Sequence, residues 1–555
     1  MATPDDAPLT VFRARKILTM EPGLPVATAV AVRGDQIVAV GSMESLQPWL
    51  HAYAHDVDDR FAEHVLVPGL IDPHLHPSMA AFLLNYTIAA PEAWELPTET
   101  VAAVPDREAF LRRMAEATKQ APTAGEPLIV WGWNPFWHGP ITRDDLDAAS
   151  MEIPIVVYHR SFHEVVLNSA GLAWLNPNEE TLRAHAHQVD LERGHFFEGG
   201  SAVVQERMAP YLAAPERLHD GLRLVAQLVH RGGVTTTADL LAGGMLGPHR
   251  EWTAYREVLD RDDVPFRTLL VPAPLAWQRR YGDGTLATLA ALPEQSTRRL
   301  RWLKAIKTFG DGAFISQLMC LCAPGYLDGH HGEWLTPPGE LQAIIEPYWR
   351  AGFDVYHHVN GDEGVDATLD VLAALLAEHP RFDFRFNLEH FGVSREDQVR
   401  RIAALGASVS ANGYYVRLFA DRWAEVGLGP ERASQITRLG SLARHGVNFS
   451  LHSDLPMAPV QPLLAVATAV TRTSVSGKVH GPEQRVSLDA ALRAVTIDAA
   501  WSLRMDREIG SIAAGKRADF AVLEQDPYEV AAAEIGTIGI PATVFEGEIF
   551  PVLQP

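Results

Sequence analysis

Val67-Pro68-Gly69-Leu70-Ile71-Asp72-Pro73-His74-Leu75-His76 is an apolar run that breaks into two histidines one residue apart. Alternate side chains of a β-strand share a face, so His74 and His76 project into one space, where two imidazole nitrogens can hold one metal ion. Such a pair at a strand end is half of a metal site. With 23 histidines in 555 residues a chance His-x-His pair is common, and the reading therefore depends on what the rest of the chain supplies.

Outward from this stretch, short apolar strands alternate with helical stretches, the pattern of repeated βαβ units and a parallel sheet. Eight candidate strands run from Val65 to Ile71, Val234 to Leu240, Phe266 to Pro272, Leu300 to Phe309, Phe353 to Val359, Phe384 to Phe391, Ala407 to Ala411 and Val447 to Leu451. Helical spacing between them is clearest over 364–378, 395–405 and 433–444. Eight such units predict an α/β fold, a (β/α)8 TIM-type barrel over residues 67–505. Both ends of the chain instead read as short strands and turns, which predicts a small β-sandwich domain built from residues 1–66 and 506–555. The connection from His76 to Val234 is much longer than the others and is expected to carry an inserted lobe after the first strand, residues 80–215, covering the active-site mouth. It is rich in aromatic residues, among them Trp131, Trp133 and Trp137, which form either the lobe's own core or an apolar wall for a ligand.

Active sites of such barrels lie at the C-terminal ends of the strands. Here the first strand ends in His74 and His76, the fourth carries Lys307 before Gly310-Asp311-Gly312, and the fifth ends in His357-His358-Val359-Asn360-Gly361-Asp362. The sixth ends in Leu388-Glu389-His390 and the eighth in His452-Ser453-Asp454. Singly, each has an ordinary explanation as a surface lysine, a satisfied core histidine or a helix cap. Gathered at one end of one barrel, they are nitrogen and oxygen donors suited to zinc or a similar divalent ion. Neighbours on a strand face opposite ways, so only one of His357 and His358 enters the site, and the spacing to Gly361-Asp362 favours His358. The same parity turns Lys304 away from the side of Lys307.

Composition bounds the rest. The 47 basic and 69 acidic residues give a net charge of −22, which argues against nucleic acid as a partner. No stretch has the ~18 unbroken apolar residues of a membrane span, and the first twenty residues resemble neither a signal peptide nor an anchor, so a cytoplasmic protein acting on a small molecule is expected. Cys320 and Cys322 alone cannot build a disulfide framework, and as a soft metal site they lack partners in the sequence.

The ordered set Gly69-Leu70-Ile71-Asp72-x-His74-x-His76, Lys307-x-x-x-Asp311-Gly312, His358-x-x-Gly361-Asp362, Glu389-His390 and Ser453-Asp454, with Gly510-Ser511-Ile512-x-x-Gly515-Lys516-x-Ala518-Asp519 at the end, resembles the amidohydrolase superfamily. Within it the chain is most similar to the branch of N-substituted formamide deformylase and YtcJ-like proteins. The resemblance implies that His74 and His76 bind the more buried of two zinc-like ions, that Lys307 is N-carboxylated and bridges them, and that His358 and His390 bind the second. Asp454 would touch the buried ion and act as the catalytic base. The implied reaction is hydrolysis of a C–N bond in an amide-like substrate, N-acyl, N-formyl or cyclic, by metal-activated hydroxide, and the family suggests a homodimer. His163 and Trp133 from the lobe are candidate contacts to a partly apolar substrate. So is His452, which stands where the family usually has a small residue and could instead hydrogen-bond Asp454 and tune its basicity in a supporting structural role. Other outcomes stay open on the same residues: ester, lactone or carbamate hydrolysis, an isomerase or decarboxylase, an inactive metal-binding protein, or a single-ion enzyme in which Lys307 is an ordinary cation.

Overall fold

Gly69 divides the opening stretch between two sheets. Val65–Pro68 pairs antiparallel with Phe520–Leu523 near the other end of the chain, Gly69 N donates to Asp519 O at 2.8 Å, and Leu70–Leu75 then pairs parallel with Val234–Ala242. A Cβ on Gly69 would stand 2.0 Å from Thr235 Oγ1, so the crossing requires glycine. The single strand expected over Val65 to Ile71 is thus two, and the expected boundary between 66 and 67 falls inside a strand of the terminal sheet.

The computed structural model describes residues 8–119, 125–212 and 214–553. The expected domain ranges reach beyond it at residues 1–7, 554 and 555, and the lobe range at 120–124 and 213. The parallel strands form two sheets. One has the order Leu300–Trp302, Arg267–Pro272, Val234–Ala242, Leu70–Leu75, and the other runs Ala305–Phe309, Asp354–Val359, Phe386–His390, Ser408–Asn412, Phe449–His452. The fourth expected strand is broken where it passes from one sheet to the other: Leu303 N donates to Leu270 O at 3.0 Å, while Lys304 O accepts from Asp354 N at 3.0 Å. Lys304 itself is exposed. At the opposite edges Asp454 N donates to His74 O at 2.9 Å, which sets the ends of the first and last strands side by side. Every residue of Leu70–Leu75, Asp354–Val359 and Phe386–His390 is buried, as strands covered on both faces must be.

Helices cover these strands by their apolar stripes. In Asp362–Glu378 the buried Val365, Thr368, Leu369, Leu372 and Leu375 recur at three- and four-residue spacing. The helix expected over 433–444 is two, Gly429–Ser434 and Leu439–Arg444. The buried Arg472 guanidinium donates to the carbonyls of Ser434, Ile436 and Thr437 at 3.1, 2.8 and 3.0 Å, taking acceptors that a continuous helix would need.

The chain ends share one hydrogen-bonded sheet of eight strands rather than the two facing sheets of a sandwich, and one core joins Phe12, Val30 and Val32 to Phe520, Val522 and Val544. The long connection after His76 contains a six-stranded sheet in the order Val189–Asp190, His195–Phe197, Glu164–Leu167, Ile155–His159, Leu128–Trp133, Thr87–Ile88. It reaches the segment after Asp454 through Arg160, whose Nη2 donates to Met457 O at 2.8 Å. Among the described residues no helix is long and apolar enough to cross a membrane.

Candidate metal centre

His74 and His76 leave the first strand on one face, as their spacing requires, and meet Asp454 from the last strand. Asp454 Oδ1 lies 3.6 Å from His74 Nε2 and 3.2 Å from His76 Nε2. The turn that aims Asp454 places it at φ 61°, in the left-handed region where Asp is among the better-tolerated residues. The motif's Asp72 ties the two strands together, its Oδ1 accepting from His74 N at 3.4 Å and from Ser453 N at 3.2 Å. Asp311 likewise knits loops, accepting from the backbone N–H groups of Cys320, Asn360 and Gly361 at 2.8–2.9 Å.

Lys307 Nζ stands 3.4 Å from His74 Nε2, and His390 Nδ1 stands 3.7 Å from Asp454 Oδ2 and 3.2 Å from His452 Nε2. The structure therefore gathers His74, His76, Lys307, His390, His452 and Asp454. His358 packs beside His390 with ring centroids 4.5 Å apart, but its Nε2 faces the Asn360 amide nitrogen at 3.1 Å, which engages that lone pair. His357 pairs through Nδ1 with Thr308 Oγ1 at 2.8 Å, on the other side of the strand.

The tryptophans pack among other rings. Trp133 is buried in the lobe core, edge-on to His159 and His195, with Nε1 donating to Gly139 O at 3.1 Å. Trp131 is buried against Trp94, and the half-buried Trp137 packs on Phe419 and Trp423. His163 is half-buried and borders a cavity of about 220 Å³ with Met79, Ser161 and Gln205.

Two residues with no role assigned from the sequence complete the arrangement. His74 Nδ1 donates to Glu389 Oε2 at 2.7 Å, and His76 Nδ1 faces Asp239 Oδ1 at 3.7 Å. Asp239 is fixed by Tyr255, whose hydroxyl donates to its Oδ2 at 2.8 Å. Glu389 sits in a quoted motif, and Asp239 stands at a strand end as the ligands do; that position was the available signal. Each histidine turns Nε2 toward Asp454; His74 Nδ1 is hydrogen-bonded to a carboxylate, the support that metal-bound imidazoles characteristically have, while His76 Nδ1 only faces one.

Burial dominates the electrostatics. It pushes His74, His390 and His452 well below the usual imidazole range and keeps them neutral, and it lowers Lys307 to about 8 against the pull of Glu389, Asp454 and Asp239. Burial opposes protonation of His76 too, yet Asp239 and Asp454 together raise it to about 9. It lifts Glu389 to about 8 against the pull of Lys307. The carboxyl groups of Asp239, Glu389 and Asp454 are buried around His74, His76 and Lys307. Ligand atoms of His74, His76 and Asp454 lie within 4.8 Å of one another, as do those of His74, His390 and His452, so the residues present fit a divalent ion.

The model of the amidohydrolase family matches residues 62–551. The chain belongs to the amidohydrolase family. This amidohydrolase is 25% identical over 555 residues to Protein LONG AFTER FAR-RED 3 of Arabidopsis thaliana, spanning 96% of this chain and 90% of the relative. It is 25% identical over 544 residues to the N-substituted formamide deformylase of Arthrobacter pascens, spanning 94% of each. A solved structure of an uncharacterized metal-dependent hydrolase from Pyrococcus horikoshii shares its fold, with a TM-score of 0.72 at 20% identity over 94% of this chain and 99% of the other. Membership gives this amidohydrolase its broad class, a hydrolase.

Proposed function

We propose that this amidohydrolase is a metal-dependent enzyme that hydrolyses the C–N bond of an amide-like small molecule, N-acyl, N-formyl or cyclic. The observation that carries the reading is the paired histidines, each with Nε2 toward Asp454 and Nδ1 toward a buried carboxylate. The relative named N-substituted formamide deformylase supports a C–N bond as the target. We read the two parallel sheets as one interrupted barrel with the lobe over its mouth, supported by the bonds that join their edges and by Arg160 reaching Met457.

His74, His76 and Asp454 would hold one ion, and Lys307 and His390 a second, with His358 joining if Asn360 releases it. Carboxylation of Lys307 needs the neutral amine, the form that burial favours here. A bound divalent ion supplies Lewis acidity, lowering the pKa of water toward about 7 and polarising a carbonyl. Asp454 accepts the proton of the attacking water and returns it to the leaving nitrogen, the reciprocal role of a general acid–base. Its side chain is 10% exposed, enough to meet solvent and substrate at the rim of the buried imidazoles. His76 and His390 flank it and orient the carboxylate.

The test is amine release from a panel of N-formyl, N-acyl, lactam, carbamate and ester compounds, using zinc-loaded protein and a chelated control. Chelator-sensitive release from the amides is the expected result. Turnover of esters or lactones with silence across the amides would overturn the C–N assignment and leave the metal site standing.

A further inference from the structure

His452 is absent from the ligand set that the family's motifs imply, yet its ring stands inside the cluster. Its centroid lies 4.6 Å from that of His74 and 5.1 Å from that of His390, and the side chain is fully enclosed. The last strand repeats the arrangement of the first. His74-x-His76 and His452-x-Asp454 each place two donors at i and i+2 at a strand end, and the hydrogen bond from Asp454 N to His74 O holds the two ends in register.

Hydrogen bonding then decides which ring nitrogen looks inward. Ser410 Oγ, on the neighbouring strand, lies 2.8 Å from His452 Nδ1 and accepts its proton in the tautomer that binds metal through Nε2. The proton on Nδ1 leaves a lone pair on Nε2, and this atom points at His390 Nδ1 across 3.2 Å. A cation between the His390 and His452 nitrogens would accept both lone pairs; without one, His390 must donate a proton to His452.

We infer that His452 is a direct ligand, through Nε2, of the second ion, the one assigned above to Lys307 and His390, with its Nδ1 held by Ser410. The inference rests on the metal reading above. It makes the centre richer in imidazole than its motifs imply, which favours zinc, cobalt, nickel or copper over magnesium, calcium or manganese.

The experiment compares wild type, His452→Ala and Ser410→Ala, each stripped of metal and titrated with Zn²⁺ against a chromophoric chelator, with imidazole nitrogens counted by X-ray absorption of the zinc-loaded proteins. His452→Ala is expected to lose about ten- to a hundredfold in zinc affinity and one imidazole from the ion's shell, with free imidazole restoring part of both. Ser410→Ala keeps the ring and is expected to give a smaller loss; it carries the test if His452→Ala does not fold. Affinity within about twofold of wild type and an unchanged imidazole count in a folded His452→Ala would overturn the inference, leaving His452 as a hydrogen-bond partner of His390. Wild type that binds no divalent ion would instead remove the metal reading itself, and this inference with it.

Discussion

His74 and Glu389 are joined by a 2.7 Å hydrogen bond between two fully buried side chains 315 positions apart in the sequence. The bond fixes one imidazole nitrogen as donor and leaves the other, Nε2, to face Asp454 and Lys307. Buried carboxylates are costly unless they accept good hydrogen bonds, and this one accepts from the side chain it orients.

Glu389→Gln keeps the shape of the side chain and weakens the acceptor. Zinc affinity, read by chelator competition, is expected to fall about ten- to a hundredfold, the usual cost of losing a partner of a metal-bound histidine. Undiminished affinity would make the contact one of packing alone.

Asp454→Asn removes the proton acceptor with almost no change in volume. Turnover of whichever amide the panel identifies is expected to fall by roughly 10² to 10⁴, the range for a general acid–base, while bound zinc remains measurable through the histidines. Near-normal turnover in the metal-loaded variant would take the base role from Asp454.

Much of this site is legible in the sequence because alternation along a strand is a local rule: His74 and His76 share a face, and His357 and His358 cannot. The motif glycines are legible too, since Gly361 would bring a Cβ to 1.9 Å from Cys320 O. What the sequence hides is set by distant partners. Arg472 breaks a helix 35 positions earlier by capturing its carbonyls, and no periodicity in residues 433–444 announces that. Asp239 follows a run of threonines with no motif around it, and its meaning comes from His76. Trp133 satisfies a core and a ligand wall equally well on composition, and only its neighbours in the lobe decide for the core.

The lobe is expected to weaken in acid through His138. Its Nδ1 accepts from Asn134 N at 3.0 Å, its Nε2 donates to Val104 O at 2.7 Å, and the ring stacks on Phe110. A second ring proton would face an N–H group, and burial lowers this histidine to about 4. Between about 4 and the unfolded value of about 6.5 the unfolded chain binds more protons, so stability rises with pH across that window and is lost as pH falls through it. Denaturant unfolding at pH 7 and pH 5 is expected to show this loss, up to about 2 kcal/mol from His138 alone. A His138 ring resonance that titrates near 6.5 would contradict it.

Gly221 is where helix Pro215–Arg231 crosses helix Pro77–Leu83, which begins at His76 as its N-cap. A Cβ there would meet Ala81 O at 2.1 Å and Ala81 C at 2.6 Å, backbone atoms that cannot rotate away. Alanine favours a helix over glycine by up to about 1 kcal/mol. Overpacking at a fixed contact costs about 1–3 kcal/mol and outweighs that gain. Gly221→Ala is therefore expected to lower the denaturation midpoint and, because the displaced helix starts at His76, to weaken zinc binding as well. Gly339→Ala, in helix Pro338–Arg350 with nothing within 4 Å of the added carbon, is the matched control and is expected to leave both unchanged or slightly raise stability. If the two variants behaved alike, the close approach of these helices would not be what holds His76 in place.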